Sequence, residues 1–309
     1  MVTQASKKTK TDKKEKIIVI LGQTATGKSD LAVKLAKKFD GEIISADSRQ
    51  VYKGLDIGTG KITKKEMCGV PHYMLDVTNP RHQYTVSQYV KEATRFVRYI
   101  ERKGKVPIIV GGTGFYISAL LGETSLPNVP PNKKLRTQLE KKTSKTLFAI
   151  LKNLDPRRAQ TIDRNNKVRL IRALEIVYML GKVPIIQRAE KKYDVLKIGI
   201  KIPDKQLKQK ISMRLFARIS RGMINEVRRL HKRGLSWKRM EELGMGYRCL
   251  AHYLRKKMDK KGLEECVFKE EWNYAKRQKT WFKRDKNIKW FKPCENTKIE
   301  NEIKKFIIR

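Results

Sequence analysis

Lys16-Ile-Ile-Val-Ile-Leu21 is an unbroken β-branched run closing on Gly22, the pattern of a parallel strand buried on both faces. Leu31, Leu35 and Phe39 then recur every four residues, which predicts a helix over 28–39 ending at Asp40-Gly41. Residues 42–46 predict a second short strand ending at Asp47, and residues 106–110 a third ending in Gly111-Gly112-Thr113-Gly114, with a helix over 86–102 between them. Alternation of this kind predicts βαβ units and a parallel sheet whose functional loops lie at the carboxyl ends of the strands.

The pattern changes near Gly122. Pro127, Pro130 and Pro131 open a stretch of short helical segments, 135–142, 146–154 and 168–180, without a convincing strand, so 122–194 reads as a helical insertion. Residues 195–202 return to strand character, and everything after them reads as helix. Asp204 is placed to cap a helix striped by Leu207, Ile211, Leu215 and Ile219, and 264–283 is a further long helix. The expected division is a basic disordered tail at 1–16, a core at 17–121 and 195–309, and the insertion at 122–194.

Composition adds a partner class. Of 309 residues, 72 are Lys or Arg against 31 Asp or Glu, a formal net charge of +41, which suits a polyanion without choosing among nucleic acid, anionic lipid or ribosome. With 39% hydrophobic residues the chain can bury a core, and its longest apolar run, Ile17–Leu21, is five residues, so no membrane span is expected. The lysine-rich amino end has no apolar stretch of the kind a secretion signal needs. Cys68, Cys249, Cys266 and Cys294 form no Cys-x-x-Cys pair and read as free thiols of a cytoplasmic protein. His72, His82, His231 and His252 have no metal-site spacing.

Gly22-Gln23-Thr24-Ala25-Thr26-Gly27-Lys28-Ser29 matches G-x-x-x-x-G-K-[ST] in full and sits between the first predicted strand and helix. The glycines let backbone N–H groups turn toward a phosphate chain, the helix N-terminus adds partial positive charge, Lys28 reaches the outer phosphates and Ser29 is placed to hold Mg²⁺. An ordinary NTPase carries a further acid after an apolar strand to hold the metal's water shell, yet the third strand ends in glycines and threonine. Asp47 is the acid at a strand end. Alone it would read as a turn cap; beside a phosphate loop it reads as a base or metal-shell ligand.

Seven segments carry a family resemblance: Gly22–Ser29, Asp47–Tyr52, Gly54–Thr59, Val70–His72, Gly111–Tyr116, Arg172–Glu175 and Tyr274–Gln278. In that order, from about Ile17 to Lys283, the chain resembles the tRNA dimethylallyltransferases, also called tRNA isopentenyltransferases. The resemblance implies an α/β fold, a P-loop NTPase-like parallel sheet core with a helical insertion domain. It implies transfer of a dimethylallyl group from dimethylallyl diphosphate, with Mg²⁺, to the exocyclic amine of the adenosine 3′ to the anticodon of tRNA. A cytoplasmic monomer of the shorter bacterial type is expected, engaging the anticodon stem-loop.

By the same resemblance Gly22, Gln23, Thr24, Ala25, Thr26, Gly27, Lys28, Ser29 and Arg214 hold the diphosphate, Ser29 also holding the metal, and Thr113 lies near the reacting groups. Asp47 takes the proton of the attacking amine and, with Ser48, Arg49 and Gln50, contacts the target nucleotide. The adenosine must leave its stack to reach a buried diphosphate. Further tRNA contacts fall to Val168, Arg169, Leu170, Ile171 and Arg172, to Gly246, Tyr247 and Arg248, and to Lys276, Arg277 and Gln278. Departures from the family pattern are Gln23 for a usual proline, Tyr73 for a second histidine, and Trp272-Asn273 for a Thr-Arg pair. Two other readings fit the residues alone: a P-loop kinase in which Asp47 activates a hydroxyl, and a non-catalytic RNA-binding protein.

Overall fold

In a computed structural model, residues 14–184 and 192–309 are described. They form two compact units, one spanning 14–123 and 192–309, the other 124–184. In chain order the elements of the first unit up to the insertion are β1 (Glu15–Gly22), α1 (Lys28–Lys38), β2 (Gly41–Ala46), α2 (Lys64–Met67), β3 (His72–Tyr73), α3 (Val86–Arg102), β4 (Val106–Gly111) and α4 (Gly114–Leu120). The second unit carries α5 (Lys133–Glu140), α6 (Ser144–Leu154), α7 (Pro156–Thr161) and α8 (Lys167–Leu180). The chain then returns through β5 (Tyr193–Ile200), α9 (Asp204–Ser220), α10 (Met223–Lys232), α11 (Trp237–Leu243), α12 (Met245–Leu254), α13 (Lys260–Phe282), β6 (Ile288–Phe291) and α14 (Asn296–Ile308).

The strands make one sheet in the order β3-β2-β4-β1-β5-β6, with every pairing parallel. Ile17 to Ile20 are fully buried because each face of the sheet is covered. Ile17 and Val19 pack toward α3, α4 and the C-terminal helices, while Ile18 and Ile20 pack toward α1 and α14. The carboxyl ends of β1, β2 and β4 therefore open onto one rim, with the loops after Gly22, Ala46 and Gly111 side by side.

Four expectations need correction. Glu15 and Lys16 belong to β1, paired with Tyr193 and Asp194, so the sheet claims residues assigned above to the tail and the insertion. The C-terminal part is not all helix: β6 extends the sheet beyond β5, and β3 adds a two-residue edge. Asp204 is the first residue of α9 rather than its cap, and its carboxylate takes Lys279 Nζ at 2.8 Å. Cys249 and Cys266 are disulfide-bonded, because α12 packs along α13 and brings their Cα atoms to 5.9 Å; Cys68 and Cys294 are free and exposed.

The second unit has its own core, in which Leu139, Leu147, Leu151, Leu170 and Leu174 are buried together. Buried Glu175 ties it, accepting from Arg136 Nε and Nη2 at 2.7 Å each, from Arg172 Nη1 at 3.2 Å and from the Asn132 N–H at 2.9 Å. These bonds outweigh the desolvation of Glu175 and hold its carboxyl below the usual range. No helix of the described residues is long and apolar enough to cross a membrane.

Candidate active site

The chain leaves β1 at Gly22 and enters α1 at Lys28. Gly27, at the N-cap of α1, has φ 84°, a left-handed conformation that glycine adopts without steric cost. Within the loop the Gln23 carbonyl accepts from Thr26 Oγ1 at 2.9 Å and from Lys28 Nζ. The long helix α13 braces it from outside. Gln278 accepts the Thr24 N–H at 2.8 Å and donates to the Gly112 carbonyl at 3.0 Å, while Gln23 Nε2 donates to the Ala275 carbonyl at 3.2 Å.

Two cations converge on this loop. Burial, then the charge of Arg214, lowers the Lys28 ammonium to about 7, with Asp47 opposing the shift. Arg214 reaches from α9 to Thr24 Oγ1 at 3.3 Å and the Gly60 carbonyl at 3.1 Å, and burial together with neighbouring Arg218 pushes it below the ordinary guanidinium range. Like charges pressed together at a helix N-terminus make a receptor for a multiply charged anion.

A cavity of about 600 Å³ joins the loop to the ends of β2 and β4, with Lys28, Ser29, Asp47, Gln50, Arg214 and Tyr274 among its walls. Asp47 Oδ1 accepts the N–H groups of Arg49 at 2.8 Å and Gln50 at 3.3 Å. The turn-capping role and the cavity-facing position are thus compatible. Thr113 Oγ1, at the end of β4, accepts the Ser48 N–H at 3.0 Å and so joins the two strand ends. The Tyr274 hydroxyl is pushed up to about 12, by burial first and by the charge of Asp47 next, while Thr113 and Gln278 pull the other way. Arg49 Nε is buried without a hydrogen-bond partner among the described residues.

Several residues assigned to tRNA above are buried or already bonded within the protein. Gln278 is 4% exposed and spends its amide bracing the phosphate loop. Tyr247 is buried with its hydroxyl on Glu226 at 2.8 Å, and Gly246 is buried beside it. Leu170 and Ile171 lie in the core of the second unit, and Arg172 is held by Glu175 and the Val129 carbonyl. The amphipathic face of each helix decides this: one turn of sequence necessarily includes inward positions. Val168, Arg169, Lys276, Arg277 and Arg248 are exposed, the last paired with Glu270. Gln23 contributes its carbonyl to the loop, while its side chain turns toward α13.

Comparison with known proteins decides the family. The IPP transferase family model matches residues 50–285. The chain belongs to the IPP transferase family. Among curated relatives, the tRNA dimethylallyltransferase of Anoxybacillus flavithermus is 37% identical over 297 residues, covering 95% of each chain. That of Caldanaerobacter subterraneus subsp. tengcongensis is 40% identical over 288 residues, 89% of this chain and 91% of its own. Among solved structures, the tRNA isopentenylpyrophosphate transferase of Bacillus halodurans superposes with a TM-score of 0.72 at 33% identity, over 95% of this chain and 97% of that one. A eukaryotic dimethylallyltransferase, described as acting on tRNA, gives a TM-score of 0.78 at 28% identity, over 92% and 75% of the two chains.

This IPP transferase site contains residues that motif reading missed. Glu226 of α10 accepts the N–H groups of Asp56 at 3.0 Å, Ile57 at 2.6 Å and Gly58 at 3.0 Å, besides the Tyr247 hydroxyl. Arg218, buried in an ion pair with Glu271, donates to the Gly58 carbonyl at 2.9 Å. The 56–60 loop is therefore gripped through its backbone, and its Gly60 carbonyl in turn holds Arg214. The available signal was an acid at the apolar spacing Met223, Val227, Leu230 and an arginine one turn past Leu215. Glu226→Ala should strand three backbone donors and cost at least about 3 kcal/mol, against about 1 for Tyr247→Phe, in urea unfolding. Equal small losses would show that the grip is not stabilising.

Proposed function

We propose that the chain transfers a dimethylallyl group from dimethylallyl diphosphate to N6 of the adenosine 3′ to the anticodon, position 37, of tRNA, releasing diphosphate. The single observation that carries this reading is the shared cavity: a phosphate loop with two converging cations opens directly onto the Asp47 carboxylate and the Gly111-Gly112 end of β4, with Thr113 next in the chain holding the Ser48 N–H. In such a transfer the amine nitrogen bonds to C1 of the allyl group, the C1–O bond breaks, and the diphosphate leaves with the electron pair. Lys28 and Arg214 stabilise the charge that develops on the leaving oxygen. Asp47 receives the N6 proton as the new bond forms. Ile62, Leu75 and Ala217 line the same cavity and supply apolar wall for the dimethylallyl group.

Gln50 lines the cavity beside Asp47, and Arg49, whose N–H is on Asp47 and whose buried Nε is unpartnered, belongs to the same turn; both suit the hydrogen-bonding edge of an extruded base. Mg²⁺ fits the donor set in one way. No group of three or more His, Cys, Asp or Glu is placed to hold a metal among the described residues, so the ion would take the Ser29 hydroxyl, diphosphate oxygens and water. Bound there, it would neutralise charge on the leaving diphosphate. Ser29→Ala and chelation of Mg²⁺ should then weaken diphosphate binding to a similar extent, with chelation adding little to the variant. Additive losses by calorimetry would move the metal elsewhere.

The deciding experiment is mass spectrometry of nucleosides from tRNA incubated with the protein and dimethylallyl diphosphate. The expected product is isopentenyladenosine at position 37; unmodified tRNA together with brisk ATP turnover would favour a kinase. The tRNA contact should be strongly electrostatic, since a net charge of +41 is spread over the chain. Affinity is expected to fall by orders of magnitude between low and moderate salt, with a log–log slope of several units. A flat salt response would remove phosphate neutralisation from the account.

A further inference from the structure

Trp281 and Phe115 are the two aromatic residues that α13 and α4 present to solvent beside the reaction cleft. They are 36% and 39% exposed and meet edge to face, with ring centroids 6.2 Å apart. The Trp281 ring lies directly on the backbone of Gly114: a Cβ there would come within 2.2 Å of the ring. Gly114 follows Thr113, whose hydroxyl holds Ser48 next to Asp47. The pair is thus joined through Gly114 and Thr113 to the turn that carries Asp47.

Cations flank the rings. Arg277, one turn before Trp281 on α13, is exposed and lies over the ring of Tyr274, which lines the cavity. Arg284 is exposed just past the helix end, with its N–H on the Trp281 carbonyl at 3.3 Å. Tyr274, Arg277 and Trp281 are three and four residues apart on α13 and so share one face of it, with Tyr274 in the cavity, Arg277 over its ring and Phe115 against Trp281. Single exposed hydrophobes are ordinary. Rings continuous with a nucleotide pocket and bracketed by arginines are the chemistry that receives unstacked bases and their phosphates.

We propose that Trp281 and Phe115 form a stacking platform for an unpaired base of tRNA immediately flanking the adenosine that enters the cavity, with Arg277 and Arg284 taking the adjoining phosphates. The proposal rests on the reading of the cavity as the transfer site. It accounts for how an extruded adenosine is offset: the neighbouring base exchanges its stack in the loop for one on the protein, and the unstacking cost falls.

The test uses the full chain and anticodon stem-loop RNAs that are intact or abasic at either neighbour of the target adenosine. Wild-type protein should bind one of the two abasic RNAs about tenfold more weakly than the intact RNA. Trp281→Ala should bind intact RNA about tenfold more weakly, and the abasic RNA no more weakly than that, so the two losses do not add. Trp281→Phe should recover most of the affinity. Wild-type protein indifferent to both abasic positions, or losses that multiply in Trp281→Ala, would overturn the platform. The abasic series on wild-type protein decides the matter even if Trp281→Ala does not fold. Failure of wild-type protein to bind or modify the intact stem-loop would instead bring down the reading beneath it.

Discussion

Asp47→Asn is expected to fold, bind tRNA with unchanged affinity, and transfer the dimethylallyl group at least about a hundredfold more slowly under single-turnover conditions. Asparagine keeps the shape of the side chain, and its Oδ1 can still accept the Arg49 and Gln50 N–H groups that define the turn. It cannot take a proton from the attacking amine. A residue acting only as a turn cap would lose about 1 kcal/mol of stability on removal and leave the chemistry intact. A residue acting only in substrate contact would lose tRNA affinity and rate together, so affinity is measured on the same preparation. Near-normal single-turnover transfer by the variant would take Asp47 out of the reaction and reopen the choice of base, with Tyr274 excluded because its hydroxyl is held protonated.

The parts of the site that short motifs describe were legible before any coordinates. Continuous β-branched residues before Gly22 and a four-residue apolar repeat after Lys28 require a strand, a turn and a helix in that order, and the structure has β1, the loop and α1 there. The ends of β2 and β4 follow for the same reason, which is why Asp47 and Thr113 could be placed on one rim. Local pattern is enough when neighbouring residues in sequence are neighbours in the site.

It is not enough when the decisive contact comes from a distant helix. Gln278 reads as polar and basic-flanked in sequence, yet the turn of α13 that carries it faces inward, onto Thr24 and Gly112. Tyr247 sits beside an exposed arginine and is itself sealed against Glu226. Cys249 and Cys266 pair only because α12 folds back along α13, a fact of packing that no spacing rule contains. The four-residue strand β6 escaped for a different reason: Ile288-Lys-Trp-Phe291 is too short for periodicity to separate strand from helix, and its pairing with β5 supplies the missing term.

Lys28→Ala is expected to weaken binding of the allyl diphosphate by about ten- to a hundredfold, the worth of a charge-assisted hydrogen bond to phosphate, while leaving tRNA affinity within about twofold. The ammonium also predicts a pH dependence whose sign follows from its environment. In the ligand-free protein burial and Arg214 bring Lys28 to about 7, so it is substantially neutral above that pH. A diphosphate favours the charged form and raises the value in the complex. Binding is therefore strongest below about pH 7 and weakens as pH rises above it, by up to about tenfold per unit until the value in the complex is reached. Above about pH 7 the ligand's own phosphates, with a last ionisation near 6, are already charged and do not confuse the measurement. Calorimetry of dimethylallyl diphosphate in two buffers of different ionisation enthalpy should show net proton uptake by the wild-type protein. Lys28→Ala should show none. Proton uptake of equal size in the variant, or diphosphate affinity unaltered by it, would remove Lys28 from the anion site and leave Arg214 as the cation that answers for it.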